Sequence, residues 1–115
     1  MAVSETNLHA FAANLGIKGG YDFDTMTGDE TLDDSTGCFV KRDPGGSARN
    51  LTMPTETGRA GAFYWLVNAA DAAENITVKD SGGSTVVTLN QNDSAVLYCD
   101  GSTYQLFTVV PINQS

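Results

Sequence analysis

The stretch SAVLYCDGSTYQLFTVV, Ser94 to Val110, decides how the chain is read. Two apolar runs flank Asp100-Gly101-Ser102. Tyr98-Cys99-Asp100-Gly101 is either a piece of chemistry or the corner of a hairpin. Asp-Gly is among the strongest short hairpin signals, because tight hairpin turns need positive φ at their centre. Tyr98 and Tyr104 flank the corner, where rings pack against cross-strand neighbours. The stretch therefore reads as two strands, 95–99 and 103–110, closed by a turn and ended by Pro111.

The same punctuation runs back to residue 37. Short runs of Val, Thr, Leu, Tyr and Phe alternate with Gly, Asp, Asn and Pro, the pattern of an all-β sandwich or barrel. Further strands are expected at 37–41, 48–53, 62–68, 76–79 and 85–89. Ala62-Phe63-Tyr64-Trp65-Leu66-Val67-Asn68 is nearly continuous in apolar residues. It is expected to be central and covered on both faces, with Trp65 in the core. Asp80-Ser81-Gly82-Gly83-Ser84 reads as a second hairpin turn. The fold expected is a small antiparallel β-sandwich or barrel of about 6–8 short strands over residues 37–115, with an N-terminal arm.

Residues 1–36 read as that arm. Leu8, Phe11, Ala12 and Leu15 fall at i, i+3, i+4 and i+7, one stripe of a helix. Thr6 or Asn7 can cap its start, and Gly16 can sit just past its end. A helix this short is marginal alone in water and needs a surface to lie on. That surface is either its own domain or a neighbouring subunit or assembly. Gly19-Gly20 then interrupts the chain before Tyr21-Asp22-Phe23-Asp24 and an Asp-rich run.

The chain has 115 residues, fourteen acids and six bases, for a net charge of −8. Seven of the acids and one base fall in residues 1–36. Affinity for a phosphate backbone comes from cations that displace counterions, so an acidic chain is a poor nucleic-acid binder. Anionic membrane surfaces are disfavoured in the same way. No apolar run approaches the ~20 residues of a membrane-spanning helix. The N-terminus has no secretory pattern, so synthesis in a cytoplasm is expected. In that compartment Cys38 and Cys99 are expected as free thiols, and Asn-X-Ser/Thr matches carry no glycan.

Catalytic and metal patterns are sparse. Read as a calcium loop from Asp22, the chain offers Met26 and Thr27 where a ligand and a glycine belong. Two cysteines and one histidine do not make a zinc site. His9, the sole histidine, lies in the arm, away from any nucleophile. Asp100 beside Cys99 disfavours a thiolate. No phosphate-loop or dinucleotide pattern is present. Neither an enzyme nor a cofactor is expected.

One pattern is more specific. It runs Gly46-Ser47-Ala48-Arg49-Asn50-Leu51-Thr52-Met53-Pro54, a Gly-containing loop, Phe63-Tyr64-Trp65-Leu66-Val67-Asn68, then Asn75-Ile76-Thr77-Val78, Gly82-Gly83 and Val86 to Leu89. It closes on Ala95-Val96-Leu97-Tyr98-Cys99-Asp100-Gly101 and Tyr104. This resembles small β-sandwich proteins of tailed bacteriophages, found among head decoration (cement) proteins and fibre-associated modules. The resemblance covers a little over half the chain.

It implies a virion structural protein on the outer capsid surface, bound to the major capsid protein, commonly as a homotrimer, and stabilising the mature head. Leu8, Phe11, Leu15, Tyr21 and Phe23 are then the expected capsid or subunit contacts. The alternatives are a host-recognition or fibre module, with Trp65, Tyr98 and Tyr104 stacking on carbohydrate, and another tail or connector part.

Overall fold

The computed structural model describes residues 20–112. Nine strands cover this span: β1 Tyr21–Thr25, β2 Glu30–Thr31, β3 Phe39–Asp43, β4 Arg49–Thr52, β5 Phe63–Asn68, β6 Ile76–Lys79, β7 Thr85–Leu89, β8 Asp93–Cys99 and β9 Tyr104–Pro111. They form a five-stranded sheet in the order β1-β3-β5-β8-β9 and a four-stranded sheet in the order β2-β4-β6-β7. The all-β reading holds, with no helix among the described residues.

The chain crosses between the two sheets on three successive passes: β1 to β2, β3 to β4, β5 to β6. Each pass stacks in parallel on the one before. Tyr21 pairs with Phe39 and Phe39 with Trp65 in one sheet. In the other, Glu30 pairs with Leu51 and Arg49 with Ile76. The wholly antiparallel expectation is therefore corrected: only β5–β8, β6–β7 and β8–β9 run antiparallel. Parallel neighbours need a crossover between them. Here each crossover is a strand of the opposite sheet rather than a helix.

The two strands beyond the seven expected are β1 and β2, and they lie inside the supposed arm. Residue 36 is no structural divide. Met26 and Leu32 belong to the buried core with Val40, Leu51, Leu66, Ile76, Val78, Leu89 and Leu97. Met26 N donates to Asp43 O at 2.7 Å, and Leu32 N donates to Thr52 O at 2.8 Å, so the first pass is laced to the second. Gly45 sits at φ +76°, and a Cβ there would overlap the Met26 carbonyl. A larger residue would push the first pass away. The stripe Leu8, Phe11, Ala12, Leu15 lies outside the described residues.

Arg42 explains how the acidic run joins the fold. Alternation along β3 puts Val40 and Arg42 on the inner face, and both are buried. A buried guanidinium requires paired acceptors. Its Nε and Nη2 donate to the two carboxylate oxygens of Glu30 at 2.9 and 3.0 Å. Nη2 also meets Asp22 Oδ1 at 2.9 Å, and Nη1 donates to Asp22 O at 2.8 Å. One side chain thus ties β1 in one sheet to β2 in the other. Burial works against its charge, but the Glu30 and Asp22 pairs outweigh that and raise its pKa.

Asn68 does comparable work at the end of β5. It is fully buried. Its Nδ2 donates to Glu74 O and Leu89 O at 2.8 and 3.0 Å, and its Oδ1 accepts from Ala70 N at 2.9 Å. The connection 69–75 is pinned this way as an irregular loop that turns β5 into the opposite sheet.

The opening stretch is a hairpin, with a longer turn than the two-residue kind. The last pair is Cys99 with Tyr104, leaving 100–103 as the loop. Gly101 takes φ +95°. Asp100 accepts from Ser102 N at 2.9 Å, from Thr103 N at 2.7 Å and from the Thr103 hydroxyl at 3.0 Å. These bonds, the Thr103 amide foremost, hold its carboxyl down at about 2. Its role is to fix the corner.

Candidate interaction surface

Strand alternation gives the five-stranded sheet an inner face on the core and an outer face. On β5, Tyr64 and Leu66 point inward and are buried, while Phe63 and Trp65 point outward. Trp65 is 36% exposed. This corrects the expectation that β5 is covered on both faces with Trp65 in the core. The nearly continuous apolar run serves two surfaces: on the outer one Phe63 and Trp65 are exposed, while Val67, farther along the same face, is buried.

Parallel register concentrates aromatics there. Paired positions on neighbouring strands share a face, so Tyr21, Phe39 and Trp65 form one row across β1, β3 and β5. The Tyr21 and Phe39 ring centroids are 5.5 Å apart, and Phe39 meets Trp65 edge-on at 4.8 Å. Both spacings suit offset or edge-to-face attraction between ring quadrupoles. Phe63 pairs with Tyr98 on β8, and Val96 sits opposite Trp65. At the β1 edge the Lys41 ammonium lies 5.6 Å from the Phe23 ring centroid, a cation–π contact. The result is a broad aromatic face across β1, β3 and β5, with Asp43 the one carboxylate at their outward positions, at the end of β3 away from the ring row.

Two of the expected contact residues, Tyr21 and Phe23, are therefore exposed and on one face. Leu8, Phe11 and Leu15 fall outside the described residues, as does His9. Phe39, Phe63 and Val96 were missed as surface residues. The signal for Phe39 was its β3 alternation with Val40 and Arg42. Of the three rings considered for stacking, Trp65 and Tyr98 are outward. Tyr104 is buried, its hydroxyl donating to Pro54 O at 2.8 Å and its ring 6.1 Å from Tyr64. Burial pushes the Tyr104 phenol well above its usual pKa.

The remaining polar groups serve the framework. Cys99 is fully buried and Cys38 partly so, and both are free thiols. Cys99 Sγ accepts from Gly101 N at 3.4 Å within the hairpin corner. Glu56 accepts from the Ser81 amide and hydroxyl, which lowers its pKa and links the 54–62 loop to the β6–β7 turn. Arg59 pairs with Asp34 and donates to the Tyr64 hydroxyl at 3.0 Å. Asp43, Asp71 and Glu74 bring carboxylate oxygens within 4.8 Å of one another, outside the acidic run. Acids clustered at a surface do not by themselves define a metal site.

No family model matches the chain, and no curated protein matches it either.

Proposed function

We propose that the chain is a structural protein of a tailed-phage virion. In this reading it binds the outer surface of the capsid as a homotrimer, contacts the major capsid protein and stabilises the mature head. The observation that carries the reading is the aromatic face built on the Tyr21–Phe39–Trp65 row, exposed at Tyr21 and Trp65. Contiguous exposed apolar surface on this scale marks a contact site, and aromatics are enriched where protein surfaces meet. The turn and strand pattern of residues 46–107, similar to phage decoration proteins, supplies the class of partner. A domain this small buries a modest core, so association adds stability that it lacks alone. The acidic charge keeps the protein off packaged DNA.

A second reading has one observation in its favour. Phe63, Trp65 and Tyr98 are neighbouring outward rings, the arrangement that stacks on sugar faces in a host-recognition module. Light scattering on the purified protein, with and without undecorated shells of the matching phage, separates the two. Co-migration with shells supports decoration. A stable oligomer that ignores shells and binds a glycan array supports host recognition and overturns decoration.

A further inference from the structure

We propose that the open side of the sandwich, where β7 and β9 end their sheets, is the surface on which a second copy of this chain docks, edge strand to edge strand. β7 and β9 are the last strands of the two sheets and lie close to one another. Ala95 and Leu97 on β8 are buried in the core, and their partners on β9 are Val109 and Leu106. Directly paired residues project to the same face, so Leu106 and Val109 also point inward. Yet Leu106 is 43% exposed and Val109 39%. The register shift between Val96 and Leu97 leaves Phe107 as the extra residue of a bulge, and it is 74% exposed. The four-stranded sheet ends at β7 and leaves this part of β9 uncovered. The core therefore runs out into solvent on this side, and a second copy completes it.

Charge and backbone name the occupant. The chain carries a net charge of −8, yet neither β7 nor β9 holds a charged residue. The far side of the sandwich carries Asp22 and Asp24 on β1 and Glu30 on β2. Two copies repel each other at that acidic side and meet with least repulsion at the neutral one. A basic partner would select the acidic side instead. β9 is eight residues long, and no strand among the described residues pairs with its far edge. An open edge presents N–H and C=O groups to another strand, and charged side chains are the usual guard against such pairing. β1 has that guard; β9 lacks it.

The area is sufficient. At about 3.4 Å per residue β9 is about 27 Å long, and sheets about 10 Å apart with their outer side chains make a side about 20 Å thick. The footprint is on the order of 500 Å² per copy, or about 1,000 Å² for a pair, the lower bound for a specific interface. The homotrimer proposed above requires an interface between copies, and this side supplies it. The number of copies rests on that reading; the docking side itself does not.

Sedimentation equilibrium over a wide concentration range tests the proposal on the full chain, on Phe107→Asp and on Tyr21→Ser, with no shell present. The expected result is a closed oligomer for the native chain, association weakened at least tenfold in Phe107→Asp, and native association in Tyr21→Ser. A native chain that is monomeric at every concentration would overturn the proposal. So would equal association by the native chain and Phe107→Asp. A loss in Tyr21→Ser as large as that in Phe107→Asp would overturn it too, because it gives the copy interface to the aromatic face. A photo-crosslinker in place of Val110 guards against a misfolded variant. Links between chains to β7 or β9 support the docking side; links made only within one chain, or only to other strands, refute it. A closed dimer would support the docking side and count against the homotrimer alone. Failure to bind shells would likewise count only against the proposed function.

Discussion

Arg42 and Glu30 are joined by two parallel hydrogen bonds, Nε to Oε1 at 2.9 Å and Nη2 to Oε2 at 3.0 Å, across the gap between the two sheets. The guanidinium side chain is 4% exposed and the Glu30 side chain 31%. Removing the acid takes one of two carboxylate partners from a buried charge, and Asp22 and the partial exposure of Glu30 limit the loss. Glu30→Gln is expected to destabilise by about 2–4 kcal/mol, toward the lower end for a broken buried pair. Urea denaturation measures it. An unchanged midpoint would mean that Asp22 alone satisfies Arg42.

Asn68→Ala leaves the carbonyls of Glu74 and Leu89 and the amide of Ala70 without the partner they have now. A buried group left unsatisfied costs roughly 1–3 kcal/mol. The variant is expected to lose about 3 kcal/mol or more, with faster amide exchange across residues 69–75. Exchange confined to the termini would show that the loop is held by other contacts.

Trp65→Ser separates surface from core. The Phe39–Trp65 ring contact is worth about 0.5–1.5 kcal/mol, so thermal melting should fall only slightly. Leu97→Ala on the next strand empties a fully buried site and should cost about 2–5 kcal/mol. Comparable losses at both positions would mean that the outer face is packed as tightly as the core.

Asp100 gives the hairpin a pH signature. Its carboxyl is held at about 2, against an ordinary 3.8, by the Thr103 and Ser102 amides. A depressed folded pKa means that stabilisation is complete above pH 3.8 and is lost as pH falls through about 2. Amide exchange at Ser102 and Thr103 should quicken over that interval, and Asp100→Ala should abolish the pH step. A titration of Asp100 centred near 3.8 would contradict the assignment.

Much of the β domain was legible because its punctuation is local. Strands 76–79 and 85–89 were read to the residue, since Gly82-Gly83 sits between two unambiguous runs. Asp100-Gly101 marked its hairpin for the same reason. The first pass was missed because its alternation is inverted. In Tyr21-Asp22-Phe23-Asp24 the rings face outward and Asp22 turns toward Arg42, the reverse of an ordinary half-buried strand. Arg42 carried the missing signal, since alternation places it inward with Val40 and an inward arginine needs carboxylates. Parallel stacking left no fixed period to find, because residue 21 pairs with 39 but 39 pairs with 65. Trp65 was misplaced because an apolar run reads alike whether its second face meets the core or a partner. The aromatic row exists only through that unequal register.

The most direct test of the outer face as a contact surface is co-sedimentation with undecorated shells, comparing the full chain with Trp65→Ser and Tyr21→Ser. The expected result is saturable binding by the native protein and a marked loss for both variants, with the fold of each intact. Native-like binding by both would contradict the assignment of this face to the shell.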